Sequence, residues 1–135
     1  MTNNIYLILL AVHILIIIVN YNLLKNPKPY PPEEIRKELK SGGGSLASFK
    51  FVRFSHYLLP RLAKSQLNWK NGNYFWYKSA IKLGIIGISL TILTIILGEY
   101  FKIFDPLIGL FIIFIPVSLG MIYLCIRMEK DILKD

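Results

Sequence analysis

Three long apolar runs, separated by polar segments, constrain what this chain can fold into. The runs cover about residues 5–24, 80–98 and 106–126. At about 1.5 Å per residue, each would form a helix of roughly 28–31 Å, against a hydrocarbon core of about 30 Å. Hydrophobic residues make up 54% of the chain, too much for an ordinary soluble domain. We therefore expect one all-α integral membrane domain, residues 1–135, with three transmembrane helices.

The second apolar run, AIKLGIIGISLTILTIILG, carries its small residues on one helical face. They recur at alternating spacings of four and three, which brings them into one stripe on an α-helix. Helices in lipid gain little from burying apolar side chains against each other, so close association depends on small residues. We predict that this stripe, called the seam below, is a helix-packing surface. The seam consists of Ala80, Gly84, Gly87, Thr91, Thr94 and Gly98.

Two faces of the same chain could fill the seam, and a helix of a partner protein is the third possibility. The two faces are Tyr6, His13 and Asn20 in the first run, and Gly109, Pro116 and Gly120 in the third. Polar groups at membrane depth usually face protein or water. We therefore expect a packing role for His13, with a role as proton relay or ligand as the less favoured alternative.

The segment between the first two runs, about residues 25–78, begins with a proline-rich stretch, KNPKPYPP. Proline removes amide donors and disfavours helix in the residue before it, so this stretch should be extended. Pro32 then suits the first turn of a short helix, in which Glu33 and Lys37 form a favourable pair. The run SGGGS at residues 41–45 should end that helix in a flexible joint.

The stretch LASFKFVRFSHYLLPRLAKSQ, residues 46–66, predicts a basic amphipathic helix in the first loop. A helix would collect its basic residues on one side, opposite Phe and Leu, as in helices that lie in the membrane interface. Pro60 should interrupt it. Packing on a partner subunit, instead of on lipid, remains an alternative. The basic stripe, which we expect to bind lipid or a partner, consists of Lys50, Arg53, Arg61 and Lys64.

The stretch NWKNGNYFWYK leads into the second run. Asn71-Gly72 predicts a turn, and the aromatic residues around it are typical of side chains that anchor a protein at the bilayer surface. The predicted anchors are Trp69, Trp76, Tyr77 and Lys82. Stacking of nucleotides on these rings is a less favoured alternative. Further on, Asp105-Pro106 predicts the start of the third helix, and residues 127–135 a short charged tail.

The basic residues predict an orientation. The net charge is +8, and most Lys and Arg residues lie between the first and second runs. The positive-inside rule places that loop and the C-terminus on the cytoplasmic or matrix side, with the N-terminus outside. We expect a bacterial cytoplasmic membrane or an organellar inner membrane. The charge then favours contact with anionic lipid over nucleic acid.

The segment from the aromatic cluster to FIPVSLGMIYLCIR resembles the final helices of a family of bacteriocin immunity proteins. The resemblance covers under half of the chain. A Gly-x-Arg-Thr type of motif, which is expected in that family, is absent here, since Asn73-Tyr74-Phe75 is followed by Trp76-Tyr77-Lys78. The resemblance implies protection against, or regulation of, a membrane-active toxin.

The sequence favours a non-catalytic role. It contains no His, Cys and carboxylate cluster with metal-ligand spacing and no nucleophile beside a base, so we expect no enzyme activity, cofactor or metal. The leading hypothesis is an accessory or assembly subunit of a larger membrane complex, docked through the seam and the basic loop, or a self-associating protein. The alternatives are an immunity or regulatory protein and a homo-oligomeric channel or transporter protomer, with Thr91 and Thr94 lining the path.

Overall fold

The computed structural model describes residues 2–40, 61–103 and 105–133, and all regular structure in these ranges is helical. Within these ranges, three helices are long and apolar enough to cross a membrane, namely Asn4–Lys25, Gln66–Gly98 and Leu107–Asp131. This confirms the predicted all-helical fold with three candidate spans. The elements are α1 (Thr2–Lys25), α2 (Glu33–Lys40), α3 (Gln66–Ile95), a π-helical turn (Ile96–Tyr100) and α4 (Pro106–Asp131).

The predicted short helix after the proline-rich stretch is confirmed as α2. Glu33 and Glu34 occupy its first turn, where acidic side chains favour the positive end of the helix dipole. The predicted ion pair is present, with Lys37 Nζ 3.4 Å from Glu33 Oε1. The glycine-rich joint and most of the predicted amphipathic helix, including Lys50 and Arg53, lie outside the described residues.

Helix α3 starts well before the predicted second span, and the predicted turn at Asn71-Gly72 is wrong. Both residues lie inside α3. A Cβ atom on Gly72 would meet the end of the Leu62 side chain, so the glycine lets Leu62 pack directly on the α3 backbone and does not form a turn. Tertiary packing has overridden the local turn signal.

Helix α4 begins as predicted and ends later than predicted. Asp105 Oδ1 accepts a hydrogen bond from the Leu107 amide at 2.8 Å, which confirms Asp105 as the N-cap. The helix continues through Pro116 to Asp131, so the predicted charged tail is partly helical. The extension has a physical reason, because Met128 is buried in a hydrophobic cluster with Leu62.

The chain divides into two compact units. The first unit consists of residues 1–25 and 77–124, and contains α1, most of α3 and most of α4. The second unit consists of residues 26–76 and 125–135, and contains the proline-rich stretch, α2, the start of α3 and the end of α4.

Candidate functional site

In the first unit, the seam of α3 lies against α1. A Cβ atom on Gly84 would lie 2.7 Å from Ile17 Cγ1 and 3.3 Å from the His13 carbonyl oxygen. A Cβ atom on Gly87 would overlap the imidazole ring of His13. The two backbones approach this closely because both glycines lack side chains. Of the candidate occupants, the structure places the His13 face of α1 in the seam.

The threonines of the seam are buried. Thr91 is 0% exposed and Thr94 is 1% exposed. Thr91 Oγ1 donates a hydrogen bond to the Gly87 carbonyl oxygen at 2.8 Å, a bond within its own helix. Thr94 Oγ1 is buried and has no hydrogen-bond partner among the described residues. Ala80 is also buried and Gly98 partly buried, so the seam is a packing surface along most of its length.

The polar face of α1 satisfies much of its hydrogen bonding inside the same helix. Tyr6 and His13 are 2% and 6% exposed. His13 Nδ1 lies 2.6 Å from the Leu9 carbonyl oxygen, and because a carbonyl only accepts, the proton must be on Nδ1. Asn20 is partly buried, and its Nδ2 donates to the Ile16 carbonyl oxygen at 2.8 Å. His13 therefore contacts α3 through the faces and edge of its ring, as a space-filling side chain.

The small-residue face of α4 also contacts α3, at a residue outside the seam. A Cβ atom on Gly120 would lie 2.7 Å from Leu83 Cδ2. Gly109 is buried, whereas Pro116 is exposed. Large apolar side chains cover the rest of α4 and are exposed in the chain by itself. The exposed residues include Leu107, Phe111, Phe114, Ile115, Leu119 and Ile122.

The second unit has its own hydrophobic core, which contains two of the predicted anchors. The core residues are Leu62, Cys125, Met128 and Leu133, with Trp69, Phe75, Trp76 and Ile132 packed against them. The indole rings of Trp69 and Trp76 thus contribute to protein packing. In the first unit, the predicted anchor Tyr77 is buried and Lys82 is exposed.

One member of the predicted basic stripe is paired within the chain. Arg61 Nη1 donates to Glu129 Oε1 at 2.7 Å, and the two side chains are 31% and 34% exposed. Lys64 is exposed. The ion pair joins the residues before α3 to the end of α4. The structure therefore gives Arg61 a structural partner within the second unit.

A cluster that sequence analysis missed holds the proline-rich stretch against the start of α3. The Tyr30 hydroxyl donates to the Ala63 carbonyl oxygen at 3.0 Å, and Trp69 Nε1 donates to the Lys28 carbonyl oxygen at 3.2 Å. The Tyr30 and Trp69 rings meet edge to face, with centroids 6.3 Å apart. The sequence feature that could have indicated this cluster is a tyrosine among prolines, because a large aromatic side chain in an extended stretch usually packs against another part of the protein.

Arg36 of α2 completes this cluster. Its guanidinium carbon lies 4.8 Å from the centroid of the Tyr30 ring, within the range of a cation–π interaction. Its Nη1 donates to the Tyr30 hydroxyl oxygen at 3.3 Å, and its Nε is buried without a hydrogen-bond partner among the described residues. We call the set Lys28, Tyr30, Arg36, Ala63 and Trp69 the tyrosine latch.

Among the described residues, no group of three or more His, Cys, Asp or Glu side chains is arranged to hold a metal ion. Comparison of the sequence with protein-family models, curated proteins and solved structures finds no match.

Proposed function

We propose that this chain is a non-catalytic membrane protein that acts as an accessory or assembly subunit of a larger membrane complex. The observation that carries the proposal is the filling of the seam by α1. The small residues of the seam pack within the chain, and Thr91 and Thr94 are buried. They are therefore not available to line a path or to receive a partner helix. A small helical body of this kind acts through its surface.

The filled seam changes where a partner would dock. A foreign helix cannot enter the seam without displacing His13 and Ile17. Docking therefore falls to the second unit and the basic loop, where Lys64 and Lys70 are exposed. Basic residues near an anionic leaflet contribute about 1 kcal/mol each, so the same surface would also contact lipid. We place this loop on the cytoplasmic or matrix side.

The filled seam also weakens the channel or transporter alternative. That alternative needs Thr91 and Thr94 to face a path, and in this chain both are enclosed between helices.

Purification in mild detergent followed by native mass spectrometry tests the proposal. We expect the chain to copurify with at least one different membrane protein at a fixed stoichiometry. Replacing Lys64 and Lys70 together by Gln should reduce copurification, because both charges belong to the proposed docking surface. Replacing Lys102 by Gln is the matched control, since it removes a lysine from the turn between α3 and α4. Recovery of the wild-type chain only as a monomer or a homogeneous homo-oligomer would refute the accessory role.

A further inference from the structure

The guanidinium group of Arg36 is held in place with part of its hydrogen-bonding capacity unused. A guanidinium has five N–H donors. Among the described residues, the guanidinium makes one long hydrogen bond, from Nη1 to the Tyr30 hydroxyl, 3.3 Å. Its Nε is buried and lacks an acceptor in the described part of the chain. Buried charged donors are normally satisfied, and one that is not calls for a bound anion or water.

The tyrosine latch fixes the Tyr30 ring, against which the Arg36 guanidinium packs. The Tyr30 hydroxyl donates a hydrogen bond to the Ala63 carbonyl oxygen, and the Tyr30 ring lies edge to face with the Trp69 ring. The Trp69 indole in turn donates a hydrogen bond to the Lys28 carbonyl oxygen. Arg36 therefore stacks on a platform tied to three separate segments of the second unit. Such preorganisation lowers the entropy lost when a ligand binds.

Charge at the latch is positive and uncompensated in the described residues. Arg36 has no ion pair there, and Glu33 of the same helix is already paired with Lys37. The side chain of Lys28 is exposed, and its backbone is part of the latch. A guanidinium can bind two phosphate oxygens through parallel hydrogen bonds, and a lysine adds a second positive charge for a phosphate.

We propose that the tyrosine latch is a phosphate-binding site, with Arg36 as its principal ligand and Lys28 as a secondary one. The phosphate belongs to a lipid headgroup, because the latch stretch directly follows α1, which ends at Lys25 as a candidate span. The proposal deepens the lipid contact of the proposed function and rests on the membrane location. It does not require a partner subunit.

The test is native mass spectrometry of the purified full-length chain, titrated with a short-chain phosphatidylglycerol. We expect Arg36→Gln to weaken binding of the first lipid by about tenfold or more, the size expected for loss of a charge-assisted hydrogen bond. Lys28→Gln should cause a smaller loss. Lys130→Gln is the matched control, because it removes one positive charge from an exposed position of the same unit and leaves the Glu33–Lys37 pair intact. Arg36→Lys should restore part of the binding, since it keeps the charge without the fork.

Two further arms identify the source of the phosphate. Inorganic phosphate at millimolar concentration should not displace the lipid. Displacement would mean that the site exists but binds free phosphate. Phosphatidylcholine should bind more weakly than phosphatidylglycerol because its choline group offsets the negative charge. Melting temperatures show whether each variant folds. If Arg36→Gln does not fold, Arg36→Lys becomes the test variant, and it should bind the lipid more weakly than the wild type because it lacks the paired guanidinium donors.

Equal losses for Arg36→Gln and Lys130→Gln, or no loss for a folded Arg36→Gln variant, would overturn the proposal. Failure of the accessory function looks different. A chain that purifies without a foreign subunit, yet binds phosphatidylglycerol through Arg36, would refute the accessory role and support the latch site.

Discussion

At the scale of single residues, one contact controls how closely α1 approaches α3. The His13 ring occupies the space where Gly87 would otherwise carry a side chain. An aromatic ring is rigid and His13 is itself bonded to Leu9, so the ring has little freedom to move aside. A methyl group at position 87 therefore has to separate the helices or force His13 out of its rotamer.

We expect Gly87→Ala to lower the free energy of unfolding by about 1–3 kcal/mol, the usual cost of overpacking a tight interface. The matched control is Gly120→Ala. The nearest atom to its added methyl group would be Leu83 Cδ2, the end of a flexible side chain that can rotate away. Thermal or denaturant unfolding of both variants in the same mild detergent provides the measurement.

The double variant His13→Ala with Gly87→Ala checks the mechanism. If the ring is what the methyl group meets, the two changes should compensate, and the double variant should be more stable than the sum of the single effects predicts. Simple additivity would show that Gly87 matters for a reason other than the His13 contact.

At the scale of helices, the ends of the elements depend on few interactions. The first turn of α4 is capped by Asp105, whose side chain accepts the Leu107 amide at 2.8 Å. The backbone immediately before it is constrained as well, because Lys102 has a positive φ of 54°. The tight turn between two candidate spans therefore combines a strained residue with one side-chain cap.

Removal of this cap by Asp105→Ala should cost about 1 kcal/mol of stability, since the first amides of α4 lose their acceptor. Asp105→Asn keeps an acceptor and should stay within a few tenths of a kcal/mol of the wild type. The melting temperature in detergent distinguishes the two variants. Equal stability of Asp105→Ala and the wild type would mean that Leu107 finds another acceptor.

The helices also show which features the sequence could predict. Spans follow from length and apolar composition, which are local properties, and the N-cap at Asp105 is local too. The start of α3 was missed because Asn71-Gly72 has the local signature of a turn, whereas Leu62 packs over Gly72 from outside the helix. The packing of Trp69 and Trp76 against a core could not be predicted for the same reason, since that core includes Met128 and Leu133, far away in the sequence.

The occupant of the seam could not be predicted from sequence either. The small residues of α3 specify a groove, but two faces of the chain had suitable residues. The choice of the His13 face depends on the three-dimensional fit of His13 and Ile17 to Gly84 and Gly87. The tyrosine latch is a similar case, because Tyr30 and Ala63 are 33 positions apart.

At the scale of the whole molecule, the distribution of charge predicts the orientation in the membrane. The loop between α1 and α3 is rich in lysine and arginine, while the turn between α3 and α4 contains Lys102 alone. This asymmetry predicts that Lys37 lies on the cytoplasmic or matrix side and Lys102 on the opposite side.

Cysteine labelling tests this orientation. With the buried native Cys125 replaced by Ser, Lys102→Cys should react with a membrane-impermeant maleimide in intact cells. Lys37→Cys should react only after the membrane is permeabilised. The reverse pattern would contradict the orientation, and labelling of both positions in intact cells would contradict the membrane-spanning arrangement between them.

The ion pair between Arg61 and Glu129 has a consequence for the order of events during synthesis. Its partners are 68 positions apart, and Leu62 depends on the equally late Met128 and Leu133 for its burial. On the ribosome, α1 and α3 can meet as soon as both have been inserted. The second unit has to wait until residues 128–133 have left the exit tunnel. Until then Leu62 and Trp76 lack their late partners in this core, and the nascent chain is open to capture by chaperones or proteases.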